Sequence, residues 1–219
     1  MATHRAGRRG RPGRTALVVL GSVAVAGLSA TTFRTAYLHW GAATFESTEQ
    51  LPGDDLIADP GLVSTRAITI EAPPEEVWPW VAQLGQGRGG FYSHDRLENL
   101  FGCDVHSATS VVSQWQDPQA GDEFRLHPRV VLRVASVDPG ESMVIEGRGQ
   151  PGEPAPPYDF TWAFVVQPHP HGATRLLVRE RYGYTKPWSA AVVEPLAAVS
   201  ALMSRRMLLG IRERAESRA

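Results

Sequence analysis

The hydrophobic pattern has two periods. From Ser64 onward, short apolar–polar alternations bounded by Pro and Gly predict strands over 64–71, 123–126, 130–137, 143–146, 158–167 and 174–184. The strongest is 158–167, which puts Phe160, Trp162, Phe164 and Val166 on one face. Two helical stretches interrupt the strands. Pro73, Pro74, Glu75 and Glu76 open the first, which runs through Val77, Trp78, Trp80, Val81 and Leu84 and stops at Gly85. The second covers 92–101, with Ser93 as a cap and Leu97, Leu100 and Phe101 as its apolar side. The chain closes on its longest helical pattern, 188–216. There Val192, Val193, Leu196, Val199, Met203, Met207 and Ile211 recur at three- and four-residue spacing, opposite Arg205 and Arg212. A long amphipathic helix needs a surface to cover, and a curved antiparallel sheet supplies one. The predicted class is α+β: a sheet wrapped around the C-terminal helix, with a pocket between them.

The N-terminal third differs. Residues 1–14 are rich in Arg, Gly and Pro and read as disordered. Residues 15–33 carry no charge and span about 28 Å as a helix, close to the hydrocarbon thickness of a bilayer. Tyr37 and Trp40 follow where an aromatic belt would sit. The expected unit is a transmembrane helix over 15–40, with a cytoplasmic N-terminus and the folded domain outside. A cleaved signal peptide is the alternative, since Ala24, Val25 and Ala26 fit a small-x-small cleavage site. Residues 41–63 are polar and acid-leaning and read as a linker, partly packed on the domain. The domain proper is expected over 64–216.

Charge and cysteine content narrow the function. The net charge is −1, but Arg5, Arg8, Arg9, Arg11 and Arg14 are all near the N-terminus; the rest carries −6, which argues against a nucleic-acid partner. Cys103 is the single cysteine, so no intramolecular disulfide forms. The glycine-rich run 85–90 follows a helix rather than a strand, so neither a dinucleotide loop nor a Walker loop fits it; it reads as a flexible connection that, with Arg88, could gate a pocket.

Candidate chemistry gathers in 88–106. Asp95 and Glu98 lie three apart on a helix, where two carboxylates split their pKa values and one holds a proton. His106 could serve as a base beside them. The competing reading of Asp95, Glu98 and His106 is a solvated face with local capping bonds. His94 and Glu98 with Asp104 or His106 match no recognised metal spacing, so no metal and no cofactor is expected. Arg179, Glu180 and Arg181 alternate across the last strand, and the sequence leaves open which side faces inward.

Ile68-Thr69-Ile70-Glu71-Ala72-Pro73-Pro74-Glu75-Glu76-Val77-Trp78 and Met203-Ser204-Arg205-Arg206-Met207-Leu208-Leu209-Gly210-Ile211 resemble the opening and closing segments of the START-like (SRPBCC, polyketide cyclase/dehydrase-like) superfamily. The resemblance covers about residues 62–216. It implies the helix-grip fold and a cavity for a hydrophobic small molecule such as a lipid, polyketide or aromatic compound. Expected wall residues are Trp80, Arg88, Tyr92, Phe160, Trp162, Phe164, Met203 and Met207, with Gly210 leaving room. Three functions stay in play: a membrane-anchored binder or carrier, a cyclase or dehydratase acting through Asp95, Glu98 or His106, and an interaction module with a closed core.

Overall fold

The computed structural model describes residues 31–100, 102–149 and 156–217. The chain divides into residues 1–36 and residues 37–219, and the sheet and the long helix belong to the second unit. The disordered segment expected over 1–14 lies outside the described residues, as does the apolar span but for 31–33. No described helix is long and apolar enough to cross a membrane.

Among the described residues six strands form one antiparallel sheet: β1 (Leu62–Ile70), β2 (Glu123–His127), β3 (Val130–Asp138), β4 (Ser142–Gly147), β5 (Tyr158–His169) and β6 (Ala173–Tyr184). Their order is β1-β6-β5-β4-β3-β2. Every pair except β1–β6 is a hairpin neighbour in sequence, so the sheet is a meander closed by the first strand. Register shifts at Arg125/His127 and Val134/Ser136 mark bulges in β2–β3 and β3–β4, which bend the sheet. Residues 31–38 are helical, and after them come the α-helices α1 (Thr44–Thr48), α2 (Pro74–Ala82), α3 (Asp95–Leu100) and α4 (Ser189–Glu216). The arrangement fits the expected helix-grip fold.

The core sits between the sheet's inner face and α2 with the C-terminal half of α4. Ile68, Ile70, Phe164, Val166, Leu176 and Val178 meet Val77, Trp80, Met207, Leu208 and Ile211 there. The Glu216 carboxylate accepts the Glu71 N–H at 2.9 Å and ties the end of α4 to the end of β1. The N-terminal half of α4 behaves differently. Its sheet-facing positions are Val193, Ala197, Ala201 and Ser204, all buried, while Val192, Leu196 and Val199 are exposed. The large residues expected in the buried stripe thus stand on its flank, because small residues take the side that meets the sheet.

The connector packs on the domain. Residues 41–61 lie on the outer face of β1 and β6, the face away from α4. Leu51 packs with Ala67, Val165 and Leu177. Arg175 pairs with Glu46 at 2.7 Å, and Arg181 with Asp54 at 3.2 Å. Arg179, only 2 % exposed, donates to the Asp54 carboxylate (2.6 Å), to the carbonyls of Glu46 (2.6 Å) and Glu49 (2.7 Å), and to Thr65 Oγ1 (2.9 Å). A buried guanidinium is tolerated only when paired and hydrogen-bonded, and this one meets both conditions. The two sides of β6, equivalent in the sequence, are therefore distinct in the fold: Arg179 and Arg181 face the connector, and Glu180 faces the helix.

Candidate functional site: an apolar cavity with two buried carboxylates

Beside the N-terminal half of α4, between it and the sheet's inner face, a cavity of about 730 Å³ opens. Its walls come from β2 and β3 (Leu126, Val130, Leu132), β5 (Phe160, Trp162), α4 (Leu196, Val199, Met203, Met207) and the segment around α3 (Phe91, Ser93, Glu98, Cys103). A volume of this size holds a small organic molecule, and a mostly apolar wall with a few polar groups is what such pockets have in common. Trp162 anchors the aromatic side, with ring centroids 4.7 Å from Phe164, 6.2 Å from Phe91 and 6.4 Å from Phe160.

Glu180 is the first polar group. It is 1 % exposed and sits directly opposite Ser64 in the β1–β6 register. Its carboxylate accepts from Ser64 Oγ at 3.1 Å, Tyr182 OH at 3.3 Å, Ser204 Oγ at 3.1 Å and Ser200 Oγ. Arg66 Nη1 lies 3.1 Å away, and both side chains of this ion pair are out of water. Ser200 and Ser204, one helical turn apart, thus couple α4 to the sheet through Glu180. Burial pushes the Tyr182 hydroxyl well above its ordinary pKa, so it stays a donor.

Glu98 is the second, and its situation is the reverse. It is 8 % exposed and accepts from Ser93 Oγ, but its Oε2 is buried with no hydrogen-bond partner among the described residues. Burial raises its pKa above the ordinary carboxylate value, and the nearby charge of Asp95 adds to the rise. The Cys103 thiol lies beside it and is also raised, by burial first and by Glu98 second.

Of the eight expected wall residues, Phe160, Trp162, Met203 and Met207 line the cavity. Trp80, Arg88, Tyr92 and Phe164 do not, each for a visible reason. Trp80 and Phe164 are closed core. Tyr92 is 1 % exposed: its ring lies edge-on to Trp80 at 5.7 Å and under the Arg214 guanidinium at 4.6 Å, and its hydroxyl accepts from Gln83 at 2.8 Å. Arg88 holds the glycine loop by donating to the carbonyls of Ala82 and Trp115 at 3.0 and 2.9 Å. The space beside Gly210 goes to Tyr92, not to a ligand: a Cβ there would lie 2.2 Å from the Tyr92 carbonyl oxygen.

Of the three candidate catalytic groups, only Glu98 lines the cavity. Asp95 is taken by Ser107, whose Oγ and N–H donate to it at 2.6 and 2.8 Å. His106 is on the surface, 3.3 Å from Asp104, with its side chain 83 % exposed. The two acids of the expected pair therefore bind separate serines. Among the described residues no three His, Cys, Asp or Glu side chains converge as a metal ion would need.

No family model matches the chain, and no curated protein does. Solved structures do. A protein from Mesorhizobium loti is 17 % identical, with a TM-score of 0.42 over 72 % of this chain and 98 % of its own. A polyketide-cyclase-like protein from Corynebacterium glutamicum is 13 % identical, with a TM-score of 0.40 over 71 % of this chain and 92 % of its own. Ara h 8.0201 is 12 % identical, with a TM-score of 0.43 over 71 % of this chain and 98 % of its own.

Proposed function

We propose that the domain binds a hydrophobic small molecule between the N-terminal half of α4 and the sheet. The observation that carries this reading is the cavity itself: about 730 Å³ lined by Phe160, Trp162, Leu196 and Met203, beside a helix whose large apolar residues are left uncovered. A closed core would have turned Leu196 and Val199 inward, where each buried side chain contributes about 1.5–3 kcal/mol. The interaction-module reading, which needs such a core, loses to it. The cyclase or dehydratase reading needs a set of groups at the cavity, and only one of its three candidates is there. Binding is therefore the function we assign.

We further propose that residues 15–33 hold the domain at a membrane, facing outward. The support is the uncharged apolar run and the arginines before it. Carbonate extraction tests this: an anchored chain stays with the membrane, and release by carbonate refutes the anchor.

Native mass spectrometry of the full chain, before and after Met203→Trp, tests binding. An indole at position 203 fills the cavity from its helix wall. A bound mass on the parent chain that falls at least tenfold in the variant, with the melting temperature unchanged, is the expected result. An empty parent chain that also refuses apolar dyes would refute the reading.

A further inference from the structure

The cavity holds two buried carboxylates, and they differ in one respect. Glu180 accepts four hydrogen bonds, from Ser64, Tyr182, Ser200 and Ser204, and is ion-paired with Arg66 besides. Its two oxygens offer about four lone-pair sites, so it has nothing left to give a ligand. Glu98 accepts from Ser93, with the His94 backbone N–H also favouring its charged form, while its Oε2 has no hydrogen-bond partner among the described residues. An unmet buried polar atom costs about 1–3 kcal/mol, so one on a cavity wall calls for an explanation. The Trp162 indole N–H, on the same cavity wall, also has no partner among the described residues.

We infer that Glu98 is the polar anchor of the cavity, its carboxylic acid donating a hydrogen bond to an acceptor oxygen, such as a carbonyl, on an otherwise apolar, uncharged ligand. The inference deepens the binding reading and rests on it. A carboxyl group donates only when protonated. Burial favours that form, Asp95 one turn back on α3 favours it further, and the Ser93 hydroxyl and His94 oppose it. The other ionisable groups on the cavity are Cys103, His127, Arg148, Tyr158 and Tyr182, with Glu180 neutralised by Arg66. An anionic ligand would meet the Glu98 carboxyl at its acceptor face and force it to stay protonated. A cationic ligand would need the charged form of Glu98, which burial and Asp95 disfavour. A neutral carbonyl compound suits both ends.

α3 is built to hold this group still. Asp95 binds Ser107, while Asn99 Oδ1 accepts the Val105 N–H at 2.6 Å and its amide donates to the Val105 carbonyl at 2.8 Å. The segments flanking Glu98 are thereby fixed by bonds that do not involve its carboxyl group.

The test uses the full chain and a matched pair of dyes: 6-propionyl-2-(dimethylamino)naphthalene, whose emission moves to the red when its ketone accepts a hydrogen bond, and its 6-propyl analogue, in which a methylene replaces the ketone. Titrations at pH 5 compare the parent chain with Glu98→Met and Glu98→Gln. Glu98→Met should weaken the ketone dye about tenfold and blue-shift its bound emission, leaving the propyl dye within about twofold. Glu98→Gln, which keeps an N–H donor, should retain ketone affinity within about threefold. Equal loss of both dyes in Glu98→Met, or an unchanged ketone affinity there, overturns the inference while leaving the cavity reading intact. Failure of the parent chain to bind either dye defeats the cavity reading and this inference with it.

Discussion

Glu180→Gln preserves the shape of a buried side chain and removes one charge. Arg66 is 0 % exposed, so its guanidinium would stay buried with no counter-charge 3.1 Å away. At an effective dielectric constant near 20 the pair's gross attraction is about 5 kcal/mol, most of it offset by the cost of taking both ions from water. Breaking the pair does not recover that cost, because the second ion remains inside; such breaks cost about 3–5 kcal/mol. A domain of this size is stable by about 5–15 kcal/mol, so the loss is a large share of the whole. With a urea slope near 2 kcal/mol/M, the unfolding midpoint should fall by about 2 M. Equilibrium urea unfolding of parent and variant, followed by tryptophan fluorescence, reads it. Arg66→Met with Glu180→Leu removes both charges and should recover at least half the loss. Recovery should be incomplete, because Ser64, Tyr182, Ser200 and Ser204 lose their common acceptor. A midpoint shift below about 0.5 M for Glu180→Gln, or a double variant no better than the single one, would refute the account of this pair.

Gly210→Ala should lower the melting temperature by about 2–12 °C, because the new methyl group runs into the Tyr92 main chain; a rise, which helix propensity alone would give, would show that the helix can shift away. The Glu46 pKa is depressed, chiefly by the Arg175 hydrogen bond, so its stabilisation is complete above the ordinary value of 4.5 and is lost as pH falls through the lower folded value. Glu46→Gln should therefore destabilise at pH 7 and converge with the parent in acid, and urea midpoints between pH 7 and pH 3 that stay a constant distance apart would contradict this.

The strands and the closing helix were legible because each has one period and a buried side. Phe160 and Trp162 were readable as wall residues for the same reason: β5 puts them both on its inner face. What hid was long-range pairing. The burial of β6 is nearly continuous, since α4 covers one face and the connector the other, and alternation carries no signal when both faces are covered. Glu46 and Asp54 looked like linker acids because Arg175 and Arg179 stand more than a hundred residues away. One clue was present: arginines at 175, 179 and 181 share a strand face, and an acid-rich stretch is their natural cover. On α4 the large side chains drew attention, but the spacing of Ala197, Ala201 and Ser204 marked the side that meets the sheet. Trp80 and Tyr92 pack against each other between α2 and the segment before α3, and in sequence such a tight fit looks like any aromatic cluster.

The folded connector has a mechanical consequence. Residues 37–40 hang on β1, where Arg66 Nε donates to the Tyr37 carbonyl and the Ala67 N–H to that of Trp40. The next residues cross to the interior strand, where Arg175 reaches Gly41 and Glu46, and Arg179 reaches Glu46, Glu49 and Asp54. A pull entering along this segment is shared between the edge strand and its neighbour. Tension from that side is spread as shear over several side-chain contacts at once, so β1 is not unzipped one hydrogen bond at a time, and the cavity on the opposite face of the sheet is shielded from the load.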